Sequence, residues 1–303
     1  MNTVRLLRFW ACLATDLAVF VLQLILNGII NGAQLALIAI GLTLVFAVLR
    51  FANFAIGSLA TIGAFAGWWV NTHFGMPAPL ALLAAFLVAG LFGAISHQLV
   101  LKPMLPYGLL ATAIVSIALS LVLENIVRFG FGNDLRSYDL PLARDWRFWG
   151  LRIGPQQLEN LALAALSVGA LFLLLAFSRI GKAMRAVADN PVLANLKGID
   201  PNRIALVASA TGAGLAGMGG MLVGLDSTID PLTGFRVILP AFAAIVVGGL
   251  GSVPGAVLGA MIIGIGEELS FLILPPAYKI AVGFFAILIV LTFRPNGLLG
   301  QKA

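Results

Sequence analysis

Charge is scarce in this chain. Of its 303 residues, 10% are Asp, Glu, Lys or Arg, where a soluble domain carries about a quarter. That shortage excludes an ordinary water-facing surface. Cys12 is the lone cysteine, which rules out an internal disulfide and any cysteine-based zinc set. His73 and His97 are the whole histidine complement. Neither has metal-ligand neighbours in sequence, and no Ser-His-Asp or Cys-His arrangement can be assembled. The glycine-rich "GGLGSVPGA" (248–256) lacks the Lys-Ser/Thr that closes a phosphate-binding loop, so it should hold no nucleotide. No enzyme, no metal site and no bound cofactor are expected of this chain. Basic stripes with interleaved aromatics are also missing, which sets nucleic acid aside despite a pI near 10.0.

What remains is apolar. The sequence is 61% hydrophobic, with a mean hydropathy of +1.06. Its long apolar runs fall into eight regions: 19–49, 54–70, 79–101, 109–130, 157–178, 204–225, 238–264 and 270–293. Runs near 20 residues span a bilayer as helices. The expected fold is therefore all-α and polytopic, with about eight transmembrane helices, some broken or re-entrant, in a single domain over 1–303. The first region is longer than one perpendicular span requires, so it is either a tilted helix or two pieces broken near Asn31-Gly32. Gly and Pro in "GGLGSVPGA" interrupt the seventh. The run after Arg5 and Arg8 lacks a small-residue cleavage site before a polar domain, so it reads as an anchor rather than a signal peptide.

Basic residues set the orientation. The 179–203 connection holds five Lys or Arg, while "NTHFGMPA" (71–78) holds none. The positive-inside rule places 179–203, the turn at 102–108 and the C-terminus, with Arg294 and Lys302, in the cytoplasm. The 131–156 connection conflicts with that rule. Alternation puts it outside, yet it carries Arg136, Arg144, Arg147 and Arg152.

The basic connection is itself patterned. In "SRIGKAMRAVADNPVLANLKGID" (178–200), Pro191 disfavours helix at Asn190 but suits the first position of a new one. A first helix is expected over 181–189. Asn190 then caps a second, "PVLANLK", and Gly198 stops it. Met184 and Val187 share one face of the first helix, and Leu193 and Leu196 one face of the second. A loop that only connects two spans needs no such order. Apolar knobs with a basic rim suit a groove on a soluble partner better than a lipid surface.

Four stretches now fall into one pattern. "GKAMRAVADNPVLANLKGID" (181–200) resembles the cytoplasmic loop of bacterial ABC importer permeases of the branched-chain amino-acid, LivH-like type. "GLTLVFAVLRFANFAIGSLATIGAF" (41–65) resembles an early span of that family. "AFAAIVVGGLGSVPGAVLGAMIIG" (241–264) and "LTFRPNGLLG" (291–300) resemble its C-terminal signatures. The resemblance implies an inner-membrane, multi-pass permease that alternates access to a small-molecule path. It implies a second homologous permease subunit, two cytoplasmic ATPase subunits carrying ATP and Mg, an extracytoplasmic solute-binding protein and contact with membrane lipid. The ATPase-coupling residues would be Gly181, Met184, Arg185, Val187, Asp189, Asn190, Pro191, Leu193, Leu196 and Gly198. The family often reads Asn-Phe-Ala-His-Gly and then an acidic residue, whereas "NFAIGS" has Ile56 and Ser58 there. Aliphatic amino acids are the expected solutes. Urea, an amide or a sugar through the same architecture is the alternative, and a stand-alone ion-coupled transporter is a more distant one.

Polar residues in apolar surroundings mark candidate solute contacts. Asn53, Ser58, Glu124 and Glu267 are the candidates, with Glu268 beside the last; a carboxylate near a span end can equally reach water. Arg50 reads as either part of such a path or a side chain snorkelling to headgroups. Gly212, Ala216, Gly220 and Gly224 recur every four residues, a ridge that lets helices approach closely in lipid.

Overall fold

The computed structural model describes residues 3–139, 144–148, 151–275, 278–294 and 296–300, with side chains from Leu17 onward except those of Phe148 and Ile280. Cys12 as a side chain, and Lys302, lie outside that set. The chain is helical nearly throughout: α1 Thr3–Leu49, α2 Ala55–Phe74, α3 Ala78–Ser96, a short turn α4 Lys102–Met104, α5 Leu109–Phe131, α6 Pro155–Phe177, α7 Arg179–Asp189, α8 Pro191–Leu196, α9 Pro201–Asp226, α10 Thr233–Gly248, α11 Val253–Leu269 and α12 Lys279–Phe293. One small antiparallel hairpin, β1 Trp146–Phe148 with β2 Leu151–Ile153, precedes α6. Six helices among the described residues are long and apolar enough to cross a membrane, and two shorter apolar helices accompany them. The protein is an all-α, multi-pass membrane protein.

Two details refine the sequence reading. The first apolar region is one unbroken helix through Asn31 and Gly32. Gly32 serves packing there, since a Cβ on it would touch the Ala260 and Met261 backbones of α11. The seventh region is two helices rather than one interrupted span. α10 stops at Gly248, and Ser252 caps α11 by accepting from the Gly255 amide at 3.2 Å. Gly248 and Gly255 lie backbone to backbone across that turn.

α9 is the central post, packing against α1, α2 and α3. In lipid no hydrophobic force drives one apolar helix onto another, so close van der Waals fit must do it. The small-residue ridge supplies that fit. A Cβ on Gly212 would fall 2.6 Å from the Gly41 carbonyl oxygen of α1, and one on Gly220 would overlap the Ala60 backbone of α2. The ridge is packing, as its spacing implied.

Contacts between helix ends sort the connections onto two faces. Arg50, at the α1–α2 joint, reaches the Ala188 carbonyl of α7. On the same face Leu298 and Leu299 bond the Val247 and Gly248 carbonyls at 2.9 Å. The opposite face gathers residues 71–76, 136–139, 152–156 and 225–229. There the Asp139 amide donates to Asn71 at 2.9 Å, and Arg136 and Ile229 bridge their backbones. Residues 136–139 and 152–156 therefore share a face with 71–76, opposite the 179–198 segment, and that face is the outer one if the basic 179–203 connection is cytoplasmic as the positive-inside rule implies. Part of the arginine charge there is absorbed locally. Arg136 lies 5.2 Å from the Trp68 ring centroid and bonds the Phe131 carbonyl at 3.2 Å. Beside it the buried Tyr138 hydroxyl donates to the Ala64 carbonyl at 2.6 Å, and burial holds that phenol far above its usual pKa. With Cys12 replaced by Ser, cysteines at His73 and Lys197 will label from opposite sides with a membrane-impermeant maleimide. Labelling of both from one side would refute this topology.

Candidate functional site

The connection between α6 and α9 is a two-helix projection, built by three consecutive N-caps. Ser178 Oγ accepts from the Gly181 amide at 2.9 Å and starts α7. Asn190, extended at φ −152°, accepts from the Leu193 amide at 3.0 Å and starts α8, with Pro191 in the first helical position. Asp200 accepts from the Asn202 amide at 2.9 Å and starts α9, again with Pro next. Each such cap contributes about 1 kcal/mol. Gly198, at φ +82°, ends α8 in the left-handed conformation that glycine adopts freely. Asn190, Pro191 and Gly198 thus hold the local positions the sequence implied. α7 starts two residues earlier than expected because Ser178 caps it. Asp189 is its exposed last residue.

The two apolar pairs face different ways. Met184 and Val187 are buried, each 3% exposed, on the side of α7 that packs against α1, α6 and α9. They anchor the projection to its own chain, so the expectation that they present a face to a partner is corrected. Leu193 and Leu196 are 55% and 79% exposed, with Val192 beside them. Gly181 permits the anchoring, because any Cβ there would strike the Leu175 backbone of α6. Arg185 donates to the Leu175 carbonyl at 2.9 Å, a cation satisfying the C-terminal end of α6. It is therefore a brace as much as a rim charge.

Arg50 adds a second brace. It is the one residue other than glycine with positive φ (61°) among those described, and its amide closes the last turn of α1 onto the Phe46 carbonyl at 2.8 Å. Its guanidinium bonds the Ala188 carbonyl, in the last turn of α7. The α1–α2 joint is thereby tied to the projection. No pattern in the sequence distinguishes this arginine from a snorkelling one.

The candidate solute contacts fall in two places, with Asn53, Ser58 and Glu124 on the neighbouring α2 and α5 segments and Glu267 on α11. Asn53 is buried and accepts from the Ala55 amide at 3.1 Å, shaping the entry to α2. Ser58 donates to the Ser120 carbonyl of α5 at 2.8 Å. Glu124 pairs with Arg128 at 2.7 Å on α5. Glu267 lies at the far outer end of α11, 3.8 Å from Lys279, with Glu268 closer at 2.8 Å. Asn31 donates to Glu268 at 2.6 Å and joins α1 to that cluster. The sequence flagged Glu267 and Glu268 but missed Asn31 and Lys279, whose relevance exists only across helices. An outer polar cleft of about 380 Å³ lies nearby, lined by Gln23, Asn27, Asp145, Arg152, Gln156 and Asp226 among others. Among the described residues no cluster of His, Cys, Asp or Glu could hold a metal ion.

The geometry is thus a capped two-helix projection on a bundle of apolar helices. The sequence model for the branched-chain amino acid transport system permease component matches residues 24–291. The chain belongs to that family. The BraD high-affinity branched-chain amino acid transport permease of Pseudomonas aeruginosa is 33% identical, over 92% of this chain and 96% of its own. The LivH permease protein of Escherichia coli K12 is 31% identical, over 93% and 96%. The fructose import permease FrcC of Rhizobium meliloti is 26% identical, over 80% of this chain and 67% of its own. Among solved structures, PsaBC from Streptococcus pneumoniae in complex with Fab gives a TM-score of 0.45 at 14% identity, over 89% of this chain and 91% of that one. That likeness is too remote to bear on function.

Proposed function

We propose that this branched-chain-type permease is the membrane subunit of an ATP-driven importer for branched-chain amino acids, its 303 residues forming one permease domain. It works with a second homologous permease, two cytoplasmic ATPases that carry ATP and Mg, and an extracytoplasmic solute-binding protein. The observation that carries this reading is the projection at 179–198. It leaves Leu193 and Leu196 exposed at the end of a braced, triply capped structure. Exposed apolar side chains held this way are a docking surface for a groove. ATP binding draws the ATPases together, the projection moves with them, and the braces at Arg185 and Arg50 carry the motion to α6 and the α1–α2 joint. Docking shifts the permease only because it favours one conformation over the other.

The second reading keeps the architecture and changes the solute. The similarity to a fructose import permease favours it, as does Ile56-Gly57-Ser58 in place of the family's usual His-Gly-acid. Titration of the cognate binding protein with leucine, isoleucine, valine, urea and fructose separates the two. Tight binding confined to the aliphatic amino acids supports the first reading. Because this chain lacks a phosphate-loop lysine, the purified subunit will show no specific photolabelling by an azido-ATP analogue, whereas the whole assembly will label on its ATPases. Specific labelling of this chain would contradict the division of labour.

A further inference from the structure

Below the outer polar cleft, α1, α11 and α12 meet around an imbalance of charge. Glu267 and Glu268 lie in the last turn of α11, 7% and 6% exposed. Asp226 ends α9 within electrostatic reach of Glu268 and Lys279. Among the described residues Lys279 is the one cation paired with the two glutamates, 2.8 Å from Glu268 and 3.8 Å from Glu267. Asn31 donates to the same Glu268 oxygen that Lys279 contacts. The Oε1 atom of Glu267 is buried and has no hydrogen-bond partner among the described residues. An unpartnered carboxylate oxygen inside a membrane protein is costly, and such groups mark the paths of ions or substrates.

A track of side-chain amides leads to this cluster from the cleft. Gln23, Asn27 and Asn31 recur every four residues on one side of α1 and are half-buried, so they descend about 12 Å along the helix. Gln23 donates to Asn27 at 3.1 Å, and both line the cleft, as Asp226 does. Gly28 and Gly32 alternate with them and let the α11 backbone lie against α1, which brings Asn31 to Glu268.

We infer that Asp226, Glu267 and Glu268 form a binding site for a primary ammonium group, the α-ammonium of the transported amino acid, which enters along the Gln23–Asn27–Asn31 track. Lys279 shows the chemistry, since a primary ammonium is what these two glutamates already hold. The described residues bring together no group of three His, Cys, Asp or Glu that could hold a metal ion. An ammonium instead offers three donors to oxygens that stand apart. Arg152 lines the same cleft and suits the carboxylate at the other end of a zwitterion. The inference rests on the importer reading and deepens it, because fructose and urea carry no ammonium.

The test is equilibrium dialysis of radiolabelled leucine against the complete importer in nanodiscs, without binding protein or ATP. Leucinol, which keeps the amine and lacks the carboxylate, should displace leucine. Isocaproate, which keeps the carboxylate and lacks the amine, should displace far less. Glu267→Gln keeps the shape and removes the charge, and it should weaken leucine binding roughly tenfold. Asp226→Asn should give part of that loss. The melting temperature of Glu267→Gln should hold or rise, because an uncompensated carboxylate is removed. With leucine-loaded binding protein, its ATP hydrolysis should still be stimulated while leucine uptake per ATP falls. Equal leucine binding by wild type and Glu267→Gln, or none by either, overturns the inference and leaves the importer reading, which is tested by uptake, intact. Equal displacement by leucinol and isocaproate overturns it too. A melting temperature lowered in step with binding gives Glu267 a structural role and ends the inference. If Glu267→Gln loses binding of radiolabelled sodium and keeps leucine, the cluster holds an inorganic ion and the inference fails. A wild-type importer that takes up fructose and not leucine contradicts the solute reading instead.

Discussion

Leu193→Asp will strip the ATPases from the assembled importer and abolish uptake, while the permease still inserts and accumulates. Leu193 is 55% exposed at the start of α8, and its amide is held by Asn190. In the free subunit a carboxylate at that position sits in water and costs the fold little. In an apolar groove it would be an unpaired charge, whose full penalty water entry or protonation reduces. Even about 2.7 kcal/mol weakens docking roughly a hundredfold. Lys182→Ala, on the exposed side of α7, should change co-purification far less. Met184→Asp should behave differently from both. Met184 is buried against the permease's own helices, so that change should lower the amount of folded protein rather than detach a partner. Wild-type retention of the ATPases in Leu193→Asp would end the docking account.

Gly212→Leu will destroy the folded permease. α1 and α9 cross there with Gly41 backbone directly against Gly212. A Cβ on Gly212 would lie 2.6 Å from the Gly41 carbonyl oxygen and 2.9 Å from a Val45 methyl. The obstacle is partly backbone, which cannot rotate aside, so the helices must separate. Overpacking of ordinary cores costs about 1–3 kcal/mol, and a parted crossing at the central post should exceed that range. The expected readout is loss of the monodisperse peak in detergent and a melting temperature too low to measure. Gly169→Leu is the control, because open space surrounds Gly169 on α6. It should melt near the wild-type temperature. Equal behaviour of the two variants would show that the small-residue ridge does not hold the bundle.

The architecture was legible because its signals are local. Apolar length marks a span, and Asn190-Pro191 followed by Gly198 marks a capped helix within a few residues of chain. Ser178 and Asp200 were equally readable as caps, since each directly precedes a helix. The facing of α7 was not legible. Met184 and Val187 share a stripe whether it meets a partner or the permease itself, and only tertiary packing decides. The same limit hid the link from Arg50 to Ala188 and the cluster of Asn31, Glu268 and Lys279, which join residues far apart in sequence. For the four solute candidates, polarity in an apolar span was a sound reason for attention but not for grouping. Asn53 and Glu124 have hydrogen-bond partners close by in sequence, Ser58 has one across on α5, and Glu267 lies on another helix at the opposite end of the bundle from Asn53.

The most direct measurement is uptake of radiolabelled leucine by proteoliposomes that contain the permease, its partner permease and both ATPases. The binding protein is supplied on one side and ATP on the other. The account predicts leucine accumulation only when binding protein, ATP and both ATPases are all present, with none for the Leu193→Asp assembly. Accumulation by the permease without ATPases, driven by a sodium or proton gradient, would contradict it.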